Sequence, residues 1–266
     1  MGQNIKTLRN RIKSVKSTLH LTKAMGLVAS SKVRRAQIAR SKSLEYRNSV
    51  GAIVDVLLCS QSVKKSAYLN PQGQGELIIV IAGDRGLAGG YNANIFRLAR
   101  EQENATIYPI GKKACERFEK PIISSEHFSY EDASALAREI CSDFVNGKYA
   151  SVSVIYTAYR NMLSQEPQKV QILPLVGGKP QNGGSVVFEP SEEKMLELAV
   201  PTYVTGIIYS VIKESFACEV IARRNAMDSA GKNATTMIDD LQLKYNRARQ
   251  GAITQEITEI VAGSGK

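Results

Sequence analysis

Residues able to do chemistry are sparse in this sequence, and the densest group is the turn Gly83-Asp84-Arg85-Gly86-Leu87-Ala88-Gly89-Gly90-Tyr91-Asn92. It sits between an apolar run and a helical pattern, where glycines let backbone N–H groups close around a phosphate. Its spacing matches neither G-x-G-x-x-G nor a Walker loop with its Lys-Ser/Thr pair. A tight strand-to-helix turn accounts for the same glycines. The two histidines, His20 and His127, have no metal-ligand spacing around them. The acidic pairs Glu192-Glu193, Asp239-Asp240 and Glu256 with Glu259 fall on predicted helices. Solvated faces or partner contacts explain them more simply than acid–base catalysis. No Gly-x-Ser-x-Gly elbow is present. Cys59, Cys115, Cys141 and Cys218 lie far apart with no Cys-x-x-Cys pair, which points away from a zinc site or disulfide framework and toward a reducing compartment. The expectation is a chain with no active site, cofactor or metal of its own.

Charge is the stronger signal. Net charge is +10, yet residues 1–47 hold twelve Lys or Arg against the single acid Glu45, a surplus of +11 that leaves −1 for everything else. One basic element in an otherwise balanced chain predicts an acidic partner surface. A basic coiled-coil nucleic-acid binder is the alternative class, because so many cations would bind phosphate in a salt-sensitive way. Against it, the charges spread around the whole helix, the segment's one aromatic is Tyr46, and no known nucleic-acid module surrounds it. The expectation is therefore no nucleic-acid partner. The longest strongly apolar run, Leu77–Ala82, is too short to cross a bilayer. Neither end reads as a signal peptide. No direct bilayer insertion is expected.

The elements that carry this charge follow from proline placement and periodicity. All eight prolines fall between Pro71 and Pro201, leaving 70 residues before and 65 after free to be long helices. In the first segment Ile5, Ile12, Leu19, Gly26 and Val33 alternate at three-four spacing with Leu8, Val15, Thr22, Ala29 and Ala36. That is a coiled-coil seam, on a helix expected over Asn4–Cys59 and reaching roughly 80 Å. A helix over Thr202–Ala262 carries Val204, Ile208, Val211, Ser215, Cys218, Ala222, Asn225 and Ser229. After a change of phase, Ile238, Leu241, Tyr245, Ala248 and Ala252 continue the seam. Small central positions on both helices require close packing, and such thin stripes are marginal alone, so each helix needs the other.

Between them, strands are expected at Glu76–Ala82, Ala105–Gly111, Pro121–His127, Ser151–Tyr159 and Gln168–Leu175. Helices are expected at Gly89–Glu103, Lys112–Glu119 and Tyr130–Asn146. Turn-rich linkers, Ser60–Gly75 and Gly177–Pro201, join this part to the helices. The predicted fold is a mixed α+β and α/β chain. It has a long antiparallel coiled coil of the N- and C-terminal helices (1–59 and 202–262) and an inserted small, mostly parallel, Rossmann-like α/β domain (76–190).

Four stretches go further than periodicity. Lys23-Ala24-Met25-Gly26-Leu27-Val28-Ala29-Ser30-Ser31-Lys32-Val33-Arg34-Arg35-Ala36-Gln37, the turn Asp84–Asn92 and Asn161-Met162-Leu163-Ser164-Gln165-Glu166-Pro167 resemble motifs of the gamma subunit of F-type ATP synthases. The most specific resemblance is the tail. It runs from Arg224-Asn225-Ala226-Met227-Asp228-Ser229-Ala230 through Ile238-Asp239-Asp240-Leu241 to Tyr245-Asn246-Arg247-Ala248-Arg249-Gln250-Gly251-Ala252-Ile253-Thr254-Gln255-Glu256-Ile257. The likeness covers essentially the whole chain.

The resemblance implies a non-catalytic central stalk that transmits torque between proton flow and ATP synthesis or hydrolysis. Its implied partners are the alpha and beta subunits of the catalytic hexamer, the epsilon subunit and the c-ring, on the cytoplasmic face of a bacterial membrane as a peripheral subunit. It further implies that Lys23, Lys32, Arg34 and Arg35, around Met25, meet an acidic loop of the catalytic subunit. Arg249 and Gln250 would hydrogen-bond a loop of that subunit, with Thr254 and Glu256 nearby. Ile253, Ile257, Ile260 and Val261 would form the apolar end of the shaft. The sequence departs from the family pattern at Gly26, where Glu is usual, at Ala88 for Cys and at Gly231 for Thr. The cysteine-bearing insert of chloroplast relatives is missing, so no thiol switch is implied.

Overall fold

The computed structural model describes residues 2–102, 104–177 and 188–263. The order of elements is α1 (Gly2–Leu58), β1 (Glu76–Ile81), α2 (Tyr91–Arg100), β2 (Thr106–Ile110), α3 (Lys112–Arg117), α4 (Tyr130–Val145), β3 (Ser151–Tyr159), β4 (Gln165–Leu173) and α5 (Glu192–Gly263). A 3-10 turn, Ser62–Lys65, follows α1. The chain divides into two compact units, one of residues 31–222 and one of residues 1–30 with 223–266.

The larger unit is built on a four-stranded mixed sheet in the order β2-β1-β3-β4. β1 runs parallel to β2 and β3, and β4 closes the sheet antiparallel to β3. The run Leu77–Ala82 has no polar alternation because both of its faces are covered. Leu77, Ile79 and Ile81 join α4, Val54 and Leu57 of α1 and the first turns of α5 in one core. Ile78, Val80 and Ala82 pack with Ile95, Ala99 and Ala114 on the other face. α4 starts at a reciprocal cap: Ser129 Oγ accepts from Asp132 N at 3.1 Å, and Asp132 Oδ2 accepts from Ser129 N at 2.9 Å.

Two sequence expectations are corrected in this unit. Residues 121–127 are not a strand. Their backbone bonds go elsewhere: Ile123 N–H donates to Cys115 Sγ at 3.3 Å, and Ser125 and Glu126 N–H both donate to Asp84. Proline placement also misplaces the start of the last helix, since α5 begins at Glu192 and runs through Pro201. An interior proline costs about 3 kcal/mol. Leu196, Val200, Val204 and Ile208, all fully buried, hold the helix together around it, and Thr205 Oγ1 donates to Pro201 O at 2.7 Å. By length and composition a window of α5 is apolar enough to cross a membrane, a signal that a search for unbroken apolar runs passes over. The helix's apolar residues from Leu196 to Ile221 are instead largely buried in this unit. Much of the expected linker Gly177–Pro201, residues 178–187, lies outside the described residues, as does Glu103.

In the smaller unit the apolar positions of α1 are the protected ones. Ile12, Thr22 and Ala29 are buried and Ile5, Leu8, Val15, Leu19 and Gly26 half-buried, while their neighbours are mostly exposed. On α5, Met227, Ala234 and Leu241 are buried, and Gly231, Ile238, Tyr245, Ala248 and Ala252 half-buried, again at three-four spacing. This corrects the phase: Ser229 is exposed and Met227 takes the inward position. A Cβ built on Gly26 would lie 3.6 Å from Met227 Cβ, and one on Gly231 would lie 3.9 Å from Leu19 Cδ1 and Thr22 Oγ1.

Candidate functional site

The Gly83–Asn92 turn is held by its own chain. Gly83 N–H donates to Asn92 Oδ1 at 2.9 Å, and Asn92 Nδ2 donates to Arg85 O at 3.2 Å. Asp84 is the centre of the arrangement. Its Oδ1 accepts from Lys112 N (2.9 Å) and Ser125 N (3.0 Å), and its Oδ2 accepts from Ser124 Oγ (2.6 Å) and Glu126 N (3.0 Å). Burial pushes this carboxyl up, but the four donors outweigh burial and leave it below its usual 3.8. Gly111, at the end of β2, has φ +97°, and a Cβ there would lie 1.9 Å from Ala82 O, so only glycine fits where β1 and β2 end together. Tyr91, buried, donates to Ser215 O at 2.9 Å and ties the turn to α5. The Gly83 N–H and the Asp84 carboxylate are thus spent inside the protein. The arrangement is a structural hub.

The other sequence candidates are dispersed. Glu192 accepts from Ser60 and Ser62 hydroxyls, Glu259 accepts from Gln255 at 2.9 Å, and Asp239 and Asp240 are exposed. His20 and His127 are exposed, and no cluster of metal-ligating side chains occurs among the described residues. All four cysteines are free. Burial pushes the Cys141 and Cys218 thiols up to about 12, which keeps both protonated and unreactive.

What remains is a set of charged and polar side chains on helix surfaces. In the smaller unit Lys23 is exposed and Met25 half-buried, and Arg249, Gln250, Thr254 and Glu256 are exposed. The Thr254 hydroxyl donates within its own helix to Gln250 O at 2.9 Å. Ile253, Ile257, Ile260 and Val261 are exposed apolar side chains beside them. In the larger unit Arg34 and Arg35 are exposed. Lys32 is different: its Nζ lies 2.5 Å from Glu126 Oε1, and this hydrogen bond is the main reason that the Glu126 carboxyl sits below its usual 4.5. Glu126 is held in place by Asp84 through its N–H, so the glycine turn, the 124–126 loop and α1 form one connected chain of polar contacts.

A family model described as ATP synthase matches residues 4–265. The ATP synthase gamma chain of Ruminococcus albus is 39% identical, with 98% of each chain covered. The chain belongs to the ATP synthase gamma chains. The sodium ion specific gamma chain of Acetobacterium woodii is 34% identical over 99% of both chains. A cryo-EM structure of the Euglena gracilis mitochondrial ATP synthase, comprising OSCP, F1 and c-ring, contains a chain that superposes with a TM-score of 0.72. That chain is 17% identical, with 99% of this chain and 94% of that one covered, and it shares the fold. A gamma chain is a non-catalytic stalk subunit, and its surface side chains are the places to look for function.

Three arrangements in this gamma chain escaped sequence reasoning: Asp84 as a structural hub, Glu126 as the partner of Lys32, and the contact of Arg40 of α1 with Glu214 of α5, whose Nη2 and Oε1 lie 3.5 Å apart. The first has a local signal, an aspartate directly after a strand and a glycine. The others join residues 94 and 174 positions apart, which no spacing rule finds.

Proposed function

We propose that this gamma chain is the rotor of a proton-translocating ATP synthase, turning inside the alpha–beta hexamer and seated on the epsilon subunit and the c-ring at the cytoplasmic face of a bacterial membrane. One observation carries the reading: residues of α1 and α5 are protected at three-four spacing, and their neighbours run in opposite senses. Leu19 lies by Gly231, and Gly26 by Met227. That order supports an antiparallel two-helix coiled coil of residues 1–59 and 202–262, in a chain with an inserted small Rossmann-like α/β domain at 76–190. An asymmetric coil inside a ring of three catalytic sites touches each differently. Each angle of rotation then favours a different nucleotide affinity at each site.

In this reading Lys23, Arg34 and Arg35, around Met25, face an acidic loop of the beta subunit. Arg249 and Gln250, with Thr254 and Glu256 one to two turns on, hydrogen-bond a loop of that subunit. Lys32 contributes less, because Glu126 already neutralises it. The test is a disulfide from Met25→Cys to a cysteine placed in the acidic loop of the beta subunit. Oxidation is expected to stop ATP turnover, and reduction to restore it. Efficient cross-linking with undiminished turnover would exclude rotation at this contact.

A further inference from the structure

The rotor reading leaves open how the α/β domain grips the helices that it must turn. Most of the grip in the larger unit is apolar: Leu196, Val200, Val204, Ile208 and Ile212 of α5 and Val54 and Leu57 of α1 share the sheet's core. Hydrophobic burial resists separation but has no direction, so it resists sliding poorly. Directional bonds are needed where load is tangential, and they gather around one side chain.

Arg40 of α1 lies with its guanidinium 4.5 Å from the centre of the Tyr159 ring, at the end of β3. Its Nη2 lies 3.5 Å from Glu214 Oε1 of α5, and the same oxygen accepts from Tyr159 N–H at 3.0 Å. One carboxylate oxygen is thus shared by the first helix and the sheet. The next residue of α5, Ser215, accepts from Tyr91 of the glycine turn. Three further polar contacts of α1 reach less far: Lys32 meets the loop at Glu126, Gln37 meets Met162 at 3.2 Å, and Tyr46 meets Tyr130 at 2.8 Å. Only Arg40, among these, touches sheet and α5 together. Its side chain is about one-fifth exposed and that of Glu214 about one-eighth, so water competes weakly for the pair. Arg40 Nε is buried without a hydrogen-bond partner, a costly feature for a contact that serves packing alone.

We propose that Arg40, stacked on Tyr159 and paired with Glu214, is the positioning residue that locks the α/β domain to both helices against slip, so that rotation driven at one end is delivered at the other. The proposal rests on the rotor reading. A planar, forked cation suits the task because it stacks and bonds at fixed angles, whereas lysine supplies charge without either.

The test uses the complete ATP synthase assembled with this chain in sealed vesicles, reading ATP hydrolysis and ATP-driven ion uptake side by side. With Arg40→Ala, uptake per ATP is expected to fall by about tenfold, the scale of a lost charged hydrogen bond, while hydrolysis stays near the unaltered rate. Arg40→Lys is expected to resemble Arg40→Ala. The double variant Arg40→Ala/Glu214→Gln is expected to be no worse than the poorer single, as for residues acting as one unit. Where Arg40→Ala does not assemble, Arg40→Met keeps the apolar stem and supplies the same readout. Uptake and hydrolysis falling in step, unchanged uptake, or full rescue by lysine would each overturn the lock. Failure of the unaltered chain to support uptake would instead overturn the rotor reading.

Discussion

Asp84 carries the sharpest prediction at the scale of single residues, because four donors converge on one carboxylate. In the folded protein its pKa lies below 3.8, so the unfolded chain takes up the proton first as pH falls. Its contribution to stability is complete above that value and disappears as pH drops through the folded-state pKa. Glu126, lowered from 4.5 chiefly by its hydrogen bond with Lys32, acts in the same sense. Asp84→Asn removes the charge and is expected to cost about 3 kcal/mol at pH 7, with the gap to the unaltered chain narrowing below pH 3.8. Urea unfolding midpoints at neutral and acid pH measure this. A gap independent of pH would show that the carboxylate is not the source. The glycines of this turn were legible in the sequence as a strand-to-helix turn. The partners of Asp84 were not, because Lys112 and Ser124–Glu126 lie 28 to 42 residues away.

Among the elements, helices and central strands were legible and their punctuation was not. Long uninterrupted patterns fix α1 to within two residues at each end, and β3 coincides with its expected span. The failures share one cause, tertiary partners overriding local rules. Ile122 and Ile123 look like a strand, but the loop's N–H groups are taken by Asp84 and Cys115. Pro201 looks like a boundary, but α5 is buried on both sides of it.

Glycine shows the same distinction between local cost and tertiary need. Gly26 and Gly231 sit inside helices, yet a methyl at either would meet only ordinary contacts of 3.6–3.9 Å. Gly26→Ala and Gly231→Ala are each expected to stabilise the chain by about 1 kcal/mol through helix propensity and a less disordered unfolded state. Gly111→Ala has no room and a left-handed backbone, and it is expected to abolish folding. Thermal melts of the three variants decide the matter. A destabilised Gly26→Ala would mean that the helices approach more closely than these distances. At the start of α4, Ser129→Ala is expected to lose about 1 kcal/mol by opening the reciprocal cap.

For the molecule as a whole, the sequence's charge asymmetry becomes a question of which cations are free to act on a partner. Of the basic residues around Met25, Lys32 is already paired with Glu126, whereas Lys23, Arg34 and Arg35 are exposed. In the proposed contact, an acidic loop therefore gains less from Lys32 than a count of charges suggests. Exposed pairs are weak and screened by salt. Arg34→Ala and Arg35→Ala are each expected to weaken association with the alpha–beta hexamer about two- to fivefold at low ionic strength, with the loss shrinking as salt rises. Lys32→Ala is expected to change association less and stability more, because it strands Glu126 beside the Asp84 hub. The measurement is a binding titration of the chain against the isolated hexamer at two salt concentrations, with a urea melt of each variant alone. If Lys32→Ala weakens association more than Arg34→Ala while leaving the melt unchanged, Glu126 releases its lysine on assembly, and the intramolecular pair seen here belongs to the free chain only.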